Sequence, residues 1–365
     1  MTLTAPSATP PTDNLDLPAT MRALVKHHAG EGLEFDESRP RPSVGPLDVL
    51  VRVKKAGICG TDRHIWQWDE WAAGRIPVGI VTGHEFAGEV VAVGEAVKTV
   101  RVGQRVSAEG HITAGLDYNS RTGNAHIARD TKILGVDRDG VFAEYVCLPE
   151  SNIWPIHDGI SDEIAATFDP LGNAVHTVMA ADVSAKSVLI SGVGIIGLMA
   201  VTVAKAAGAA RIYCTDINPA RLGLARRLGA DEAFNSAEGG EWMKTVRQET
   251  RGEGVDVLLE MSGAPQAMDE GFRTLRNGGT AALLGLPART VDFDFNANII
   301  FKGCTVLGIN GRRMWETWYQ MEELLLSGRL ELDEIITHTF PVADYEKAFE
   351  TMISGQGIKV LLDMA

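Results

Sequence analysis

Three side chains whose types suit a metal ion stand in two short segments, Cys59 in GICGTDRHIW (57–66), and His84 with Glu85 in GHEFAG (83–88). A thiolate, an imidazole and a carboxylate are all ligands that Zn²⁺ accepts. A catalytic zinc takes three or four protein groups and keeps one position for water or substrate. Neighbouring residues of a strand point to opposite faces, so His84 and Glu85 serve one ion only at a bend, which Gly83 is placed to allow. Taken singly, each has an ordinary reading that carries more weight: Cys59 a small buried hydrophobe, His84 a hydrogen-bonded turn histidine, Glu85 a surface acid.

The second group is made of glycines. Gly192, Gly194 and Gly197 follow Val188-Leu189-Ile190 with the spacing G-x-G-x-x-G. Between a strand and a helix, the first glycine permits the sharp turn and the second lets backbone approach a pyrophosphate. The third lets the helix pack closely on its strand, and the start of that helix favours an anion. A glycine loop capping any helix looks alike, so context decides. Ala200, Val201, Val203, Ala204 and Ala207 form a small apolar stripe, and Arg211–Thr215 reads as the next strand, ending in Asp216. A carboxylate there accepts hydrogen bonds from an adenosine ribose and repels a 2′-phosphate, which favours NAD over NADP. For Arg221 three readings stay open: stacking on the adenine, meeting a phosphate, or facing solvent from a helix.

Positioning two such groups calls for two domains, and 365 residues suffice for two cores. With 45% hydrophobic and 22% charged residues and no apolar run of membrane-spanning length, the composition is that of a soluble globular protein. A net charge of −14 argues against nucleic acid and against anionic lipid, leaving a small molecule as the partner. Cys59, Cys147, Cys214 and Cys304 are scattered, which fits a reducing, cytoplasmic setting and no disulfide framework.

Residues 1–20, rich in Thr, Pro, Ala and Ser, read as a disordered tail without signal-peptide character. Short strands then follow at Met21–Val25, Val49–Val53, Phe86–Gly94 and Gly103–Val106, as in a small barrel with insertions. Beyond the glycine turn, Gly254–Glu260 reads as the fourth strand and Gly279–Gly285 as the fifth, with helices between them. That alternation means a parallel, doubly wound sheet.

GICGTDRH, GHEFAGEVVAVG, GQRV, FDPLGNAVHT (168–177) and GVGIIG (192–197) occur in the order seen in the medium-chain, zinc-dependent alcohol dehydrogenase family. The chain resembles that family over nearly everything after residue 20. The resemblance implies an α/β fold: a β-rich, co-chaperonin-like catalytic domain at 21–169, a Rossmann domain at 170–312, and a return to the catalytic domain from 313, through Trp315–Met321. It implies a catalytic zinc on Cys59, His84 and Glu85, with Asp169 as the remaining carboxylate. Some relatives carry Glu there, and the shorter Asp reaches a metal through water. The ordinary reading of Asp169 is a helix cap ahead of Pro170.

Thr61 and His64 resemble the family's proton relay, against ordinary readings as a turn hydroxyl and a surface histidine. Ile196, Leu284, Leu286 and Ile309 join the glycines, Asp216 and Arg221 as the implied NAD contacts, and a homotetramer is implied as well. DTKILGVDRDGVFAEYV (130–146), GRRMWETWY (311–319) and IITHTF (335–340) are most similar to the branch acting on L-threonine. That implies oxidation to 2-amino-3-oxobutanoate. A polyol or other secondary alcohol as substrate, and an inactive dinucleotide-binding or structural protein, are the alternatives. One departure is plain. Many members hold a structural zinc on four cysteines spaced C-x2-C-x2-C-x7-C, where this chain has Ala114, Asp117, Ser120 and Ala128, so that lobe is expected to lack its zinc. His111 and His126 remain nearby, too few to rebuild the site; His111 is placed near a substrate mouth or is a loop histidine.

Overall fold

A computed structural model describes residues 17–365. Up to residue 16 the expected tail lies outside the described residues, and its last residue, Thr20, already opens the first strand. In chain order, β1 (Thr20–Val25), β2 (Glu34–Pro40) and β3 (Asp48–Gly57) lead to α1 (Gly60–Gln67) and α2 (Glu70–Arg75). Next come β4 (Glu85–Val93), β5 (Arg105–Ala108), β6 (His111–Ile112), α3 (Tyr118–Arg121), β7 (Lys132–Ile133), β8 (Tyr145–Pro149), β9 (Ile153–Pro155), α4 (Asp162–Ala165) and α5 (Phe168–Ala181). Then follow β10 (Ser187–Ser191), α6 (Ile195–Ala206), β11 (Arg211–Asp216), α7 (Pro219–Leu228), β12 (Glu232–Asn235), α8 (Glu241–Glu249), β13 (Val255–Glu260), α9 (Pro265–Thr274), β14 (Leu275–Leu283), β15 (Thr305–Gly308) and α10 (Glu316–Leu326). The chain ends with β16 (Ile336–Pro341), α11 (Tyr345–Ile353) and β17 (Lys359–Asp363).

Two compact units result, one holding the chain up to Asp169 together with Ile336–Ala365, the other Pro170–Ile335. In the first, seven strands join in the order β16-β17-β3-β4-β5-β9, with β8 also paired to β3. Strand β3 is central because Val49, Val51 and Val53 alternate into the core with Phe86, Val90, Val146, Leu148 and Val360. Its register sets Gly57 opposite Glu85 of β4 on one side and Leu361 of β17 on the other.

The second unit is the expected parallel sheet, in the order β12-β11-β10-β13-β14-β15. Val188, Leu189 and Ile190 of β10 are fully buried, as a strand covered on both faces should be. Strand order reverses between β10 and β13, so a crevice opens at their carboxyl ends, where such sheets bind ligands.

The return to the first unit falls at 335/336 rather than at 312/313. Three contacts keep the intervening segment on the second unit. His176 of α5 bonds through Nδ1 to the Gly311 carbonyl at 2.8 Å, and the buried Arg312 donates to Asn173 Oδ1 at 3.3 Å. Arg227 of α7 pairs with Glu334 at 2.7 Å. The aromatic run 315–321 is thus part of the second unit, with Trp318 and Met321 of α10 buried.

Candidate metal centre and nucleotide cleft

Cys59 is the N-cap of α1, and its N–H donates to Asp62 Oδ2 (2.9 Å) one turn on. Gly83 has φ +87°, open to glycine at little cost, and a Cβ there would lie 2.5 Å from the Phe142 ring. The bend brings His84 and Glu85 to one place. One ligand atom each from Cys59, His84 and Glu85 lies within 4.8 Å of the other two.

These residues fit a cation by their unmet needs. His84, Glu85 and Asp62 are buried, and His84 Nδ1, Glu85 Oε1 and Asp62 Oδ1 have no hydrogen-bond partner, which is costly without an ion to satisfy them. Burial pushes the Asp62 carboxyl up to about 6. Burial opposes charge on His84, yet Asp62 and then Cys59 hold its pKa well above the ordinary value. Against these acids stands Lys359, itself buried, which donates to Glu85 Oε2 and to the Ile58 carbonyl (3.0 Å). The pair fits because Gly57 has no side chain: a Cβ there would sit 2.3 Å from Glu85 Oε2. Sulfur, nitrogen and oxygen donors around a negative, desolvated pocket suit Zn²⁺. Asp169 is not among the groups within that distance. It stands in the first turn of α5 rather than capping it, and its charge contributes to raising the His84 pKa.

Thr61 and His64 are three residues apart on α1 and so share a face. His64 Nδ1 lies 2.5 Å from Asp69 Oδ2, while Asp69 Oδ1 accepts the Ala72 N–H (3.0 Å) and caps α2. Burial works against it, yet the Ala72 N–H and His64 hold the Asp69 carboxyl below its ordinary value. A carboxylate on Nδ1 leaves Nε2 as the free acceptor of the ring.

In the second unit a cleft of about 350 Å³ is lined by Gly192, Gly194, Asp216 and Arg221, with Ser236, Met261, Ser262 and Gln266. Gly192 takes φ +87°, and a Cβ on it would strike Ser262 at 2.6 Å. One on Gly194 would meet nothing within 4 Å, leaving open space at the start of α6. One on Gly197 would lie 2.1 Å from the Gly192 carbonyl. Asp216 is held by the N–H groups of Val193 and Asn218, each at 2.9 Å. A bare glycine turn under a helix start, beside a fixed carboxylate, fits an adenosine diphosphate. Ile196 sits half-buried in the first turn of α6, whereas Leu284, Leu286 and Ile309 follow the ends of β14 and β15, outside the residues lining this cleft.

In the lobe at 113–131, two carboxylates make the cross-links. Asp117 accepts the N–H groups of Ser120 (2.9 Å) and Arg129 (3.1 Å), and Asp130 accepts Thr113 Oγ1 (2.5 Å) and the Ala114 N–H (3.0 Å). Ahead of it, His111 Nδ1 lies 2.7 Å from the buried Glu109.

Residues 45–158 match the family model described as the alcohol dehydrogenase GroES-like domain, and residues 196–327 that of the zinc-binding dehydrogenase. The L-threonine 3-dehydrogenase of Alteromonas mediterranea is 48% identical over 94% of this chain and 99% of its own length. The chain belongs to the zinc-dependent alcohol dehydrogenase family. The L-threonine 3-dehydrogenase of Symbiobacterium thermophilum is 49% identical to this dehydrogenase, over 94% of the chain and 97% of the relative. An alcohol dehydrogenase structure from Thermus sp. ATN1 superimposes with a TM-score of 0.86 at 31% identity, covering 94% of this chain and 99% of that one. Sequence reading missed Asp62, Asp69 and Lys359 in the first unit, and Ser236, Met261, Ser262 and Gln266 along the cleft of the second. Only Asp62 left a signal, as the acid three residues after a helix-capping position.

Proposed function

We propose that the enzyme oxidises the 3-hydroxyl of L-threonine to 2-amino-3-oxobutanoate with NAD, using one zinc ion. The Cys59–His84–Glu85 trio, with His84 and Glu85 buried and their polar atoms orphaned, carries the reading of a zinc enzyme. Threonine is supported by relatives of matching length that bear that activity's name. When bound, zinc supplies Lewis acidity toward the substrate hydroxyl oxygen and NAD supplies the two-electron oxidant. Cys59, His84 and Glu85 hold the ion, and Lys359 keeps Glu85 turned toward it. Asp169 acts from outside the trio, through water. Thr61 Oγ relays the hydroxyl proton, accepting it as it hands on its own, and His64 passes a proton to solvent through Nε2, with Nδ1 anchored on Asp69. Asp216 receives the adenosine ribose hydroxyls, and Leu284, Leu286 and Ile309 lie toward the nicotinamide.

The lobe at 113–131 holds no second zinc in this reading, its Asp117 and Asp130 bonds standing in for the thiolates. A cytoplasmic homotetramer completes the proposal. All four cysteines are free, and among the described residues no helix is long and apolar enough to cross a membrane. Phe295, Ile300 and Phe301 lie exposed ahead of the edge strand β15, as a subunit contact would need. A substrate panel tests the assignment. Threonine should give the highest kcat/KM with NAD, and faster oxidation of sorbitol or butanediol would make this a polyol or secondary-alcohol dehydrogenase. Binding of NAD without turnover of any alcohol would make it a binding module.

A further inference from the structure

Glu260, the last residue of β13, is fully buried, and among the described residues no cation lies within ion-pair distance of it. Its carboxylate is satisfied instead by the loop that follows. Oε1 accepts the Ser262 N–H (3.0 Å) and the Ser262 hydroxyl (2.5 Å), and the Gly263 N–H is shared between both oxygens at 3.1 Å. Ser262 Oγ in turn accepts the Ala264 N–H at 3.0 Å. Glu260's own carbonyl accepts the N–H groups of Leu284 and Gly285, each at 3.0 Å, from the segment after β14. The segments approach too closely for a side chain at either glycine: a Cβ on Gly285 would lie 2.2 Å from Gly263 N and 2.5 Å from Glu260 Oε2, and one on Gly263 would lie 2.4 Å from the Leu286 carbonyl.

The loop 261–264 and the stretch 284–286 meet at this carboxylate, and the glycine turn packs on the loop through Gly192 against Ser262. Met261, Ser262 and Ala264 line the cleft. With the 262 and 263 N–H groups turned in to Glu260, planar trans peptides turn the Met261 and Ser262 carbonyls away from it. That leaves acceptors on the loop's outer side, suited to hydroxyl donors. We propose that Glu260 is a positioning residue for the dinucleotide, its buried carboxylate fixing the cleft-lining loop 261–264 against the segment 284–286. This rests on the NAD reading above.

The test is NADH binding by fluorescence titration, with KM for NAD and kcat measured alongside, for wild type, Glu260→Gln, Ser262→Ala and Glu249→Gln. Gln keeps the shape but puts an NH₂ where an acceptor is needed. Glu249, bonded to Tyr213 and Arg211, controls for general loosening of the same unit, because it does not line the cleft. Glu260→Gln should raise the NADH Kd and KM for NAD at least tenfold, by more than it lowers kcat. Ser262→Ala should raise Kd about threefold, and Glu249→Gln should leave it within twofold. An unchanged Kd in Glu260→Gln overturns the proposal, and so does an equal rise in Glu249→Gln at matched loss of Tm. If Glu260→Gln does not fold, an unchanged Kd in Ser262→Ala overturns it. Wild type that fails to bind NADH sinks the NAD reading and this proposal with it, whereas wild type that binds NADH no better than Glu260→Gln sinks this proposal alone.

Discussion

One oxygen of Asp69 caps a helix while the other holds a histidine ring, so a single side chain joins local structure to the proposed proton relay. The two duties separate on mutation. Asn is as good an N-cap as Asp, so Asp69→Asn should keep α2 while replacing the charged acceptor at His64 Nδ1 with an amide that also accommodates the wrong tautomer. Steady-state kinetics should show kcat down about tenfold, less than the roughly 10²–10⁴-fold that a positioned acid–base group itself contributes because His64 stays in place, with zinc content and KM for NAD near wild type. An undiminished kcat would remove Asp69 from the relay. Lys359 works by a different route. Removing it would leave Glu85 buried without its counter-charge, a larger loss than the pair's own net contribution.

Among the elements, the lobe at 113–131 is cross-linked by two carboxylates, in the proposed reading without a metal. The Ser120 hydroxyl, and then the Ser120 and Arg129 N–H groups, hold the Asp117 carboxyl down at about 2, and Thr113 and Ala114 likewise lower Asp130. Both groups have folded-state pKa values below those of the unfolded chain. The stability they contribute is therefore complete above about pH 4, the ordinary carboxyl range, and is lost as pH falls through about 2 for Asp117. Hydrogen exchange of residues 113–131 should accelerate in Asp117→Ala at pH 7, and in wild type only in acid. EDTA should leave the wild-type lobe's exchange unchanged. An EDTA-sensitive lobe would mean that a metal holds it after all.

For the assembled molecule, the proposed tetramer is supported by the exposure of Phe301 (80%) and of Phe295 and Ile300 (63% each) close to an edge strand. Edge strands leave backbone donors and acceptors unpaired, and apolar patches beside them mark contact surfaces. Light scattering after size exclusion should give a mass of four chains. Phe301→Asp should yield a smaller species that still binds NADH. A monomeric wild type would contradict the tetramer.

Much of this was legible along the chain because it depends on near neighbours. The G-x-G-x-x-G spacing, the acid ending the following strand and the unbroken apolar run of β10 are local consequences of turn geometry and strand burial, and each stands where it was expected. The ligand types Cys59, His84 and Glu85 were visible too, as was the pair Thr61 and His64. What could not be read were partners brought together by register and packing. Lys359 meets Glu85 across 274 residues because β17 and β4 flank a glycine in β3. The Arg227–Glu334 pair holds the chain to the second unit more than twenty residues past the expected return. Glu260 looks like any strand-end acid until the segments 261–264 and 284–286 close over it. Short-range spacing decides which chemistry a segment is able to offer; which buried charge it faces depends on strand pairing, and no local pattern encodes that.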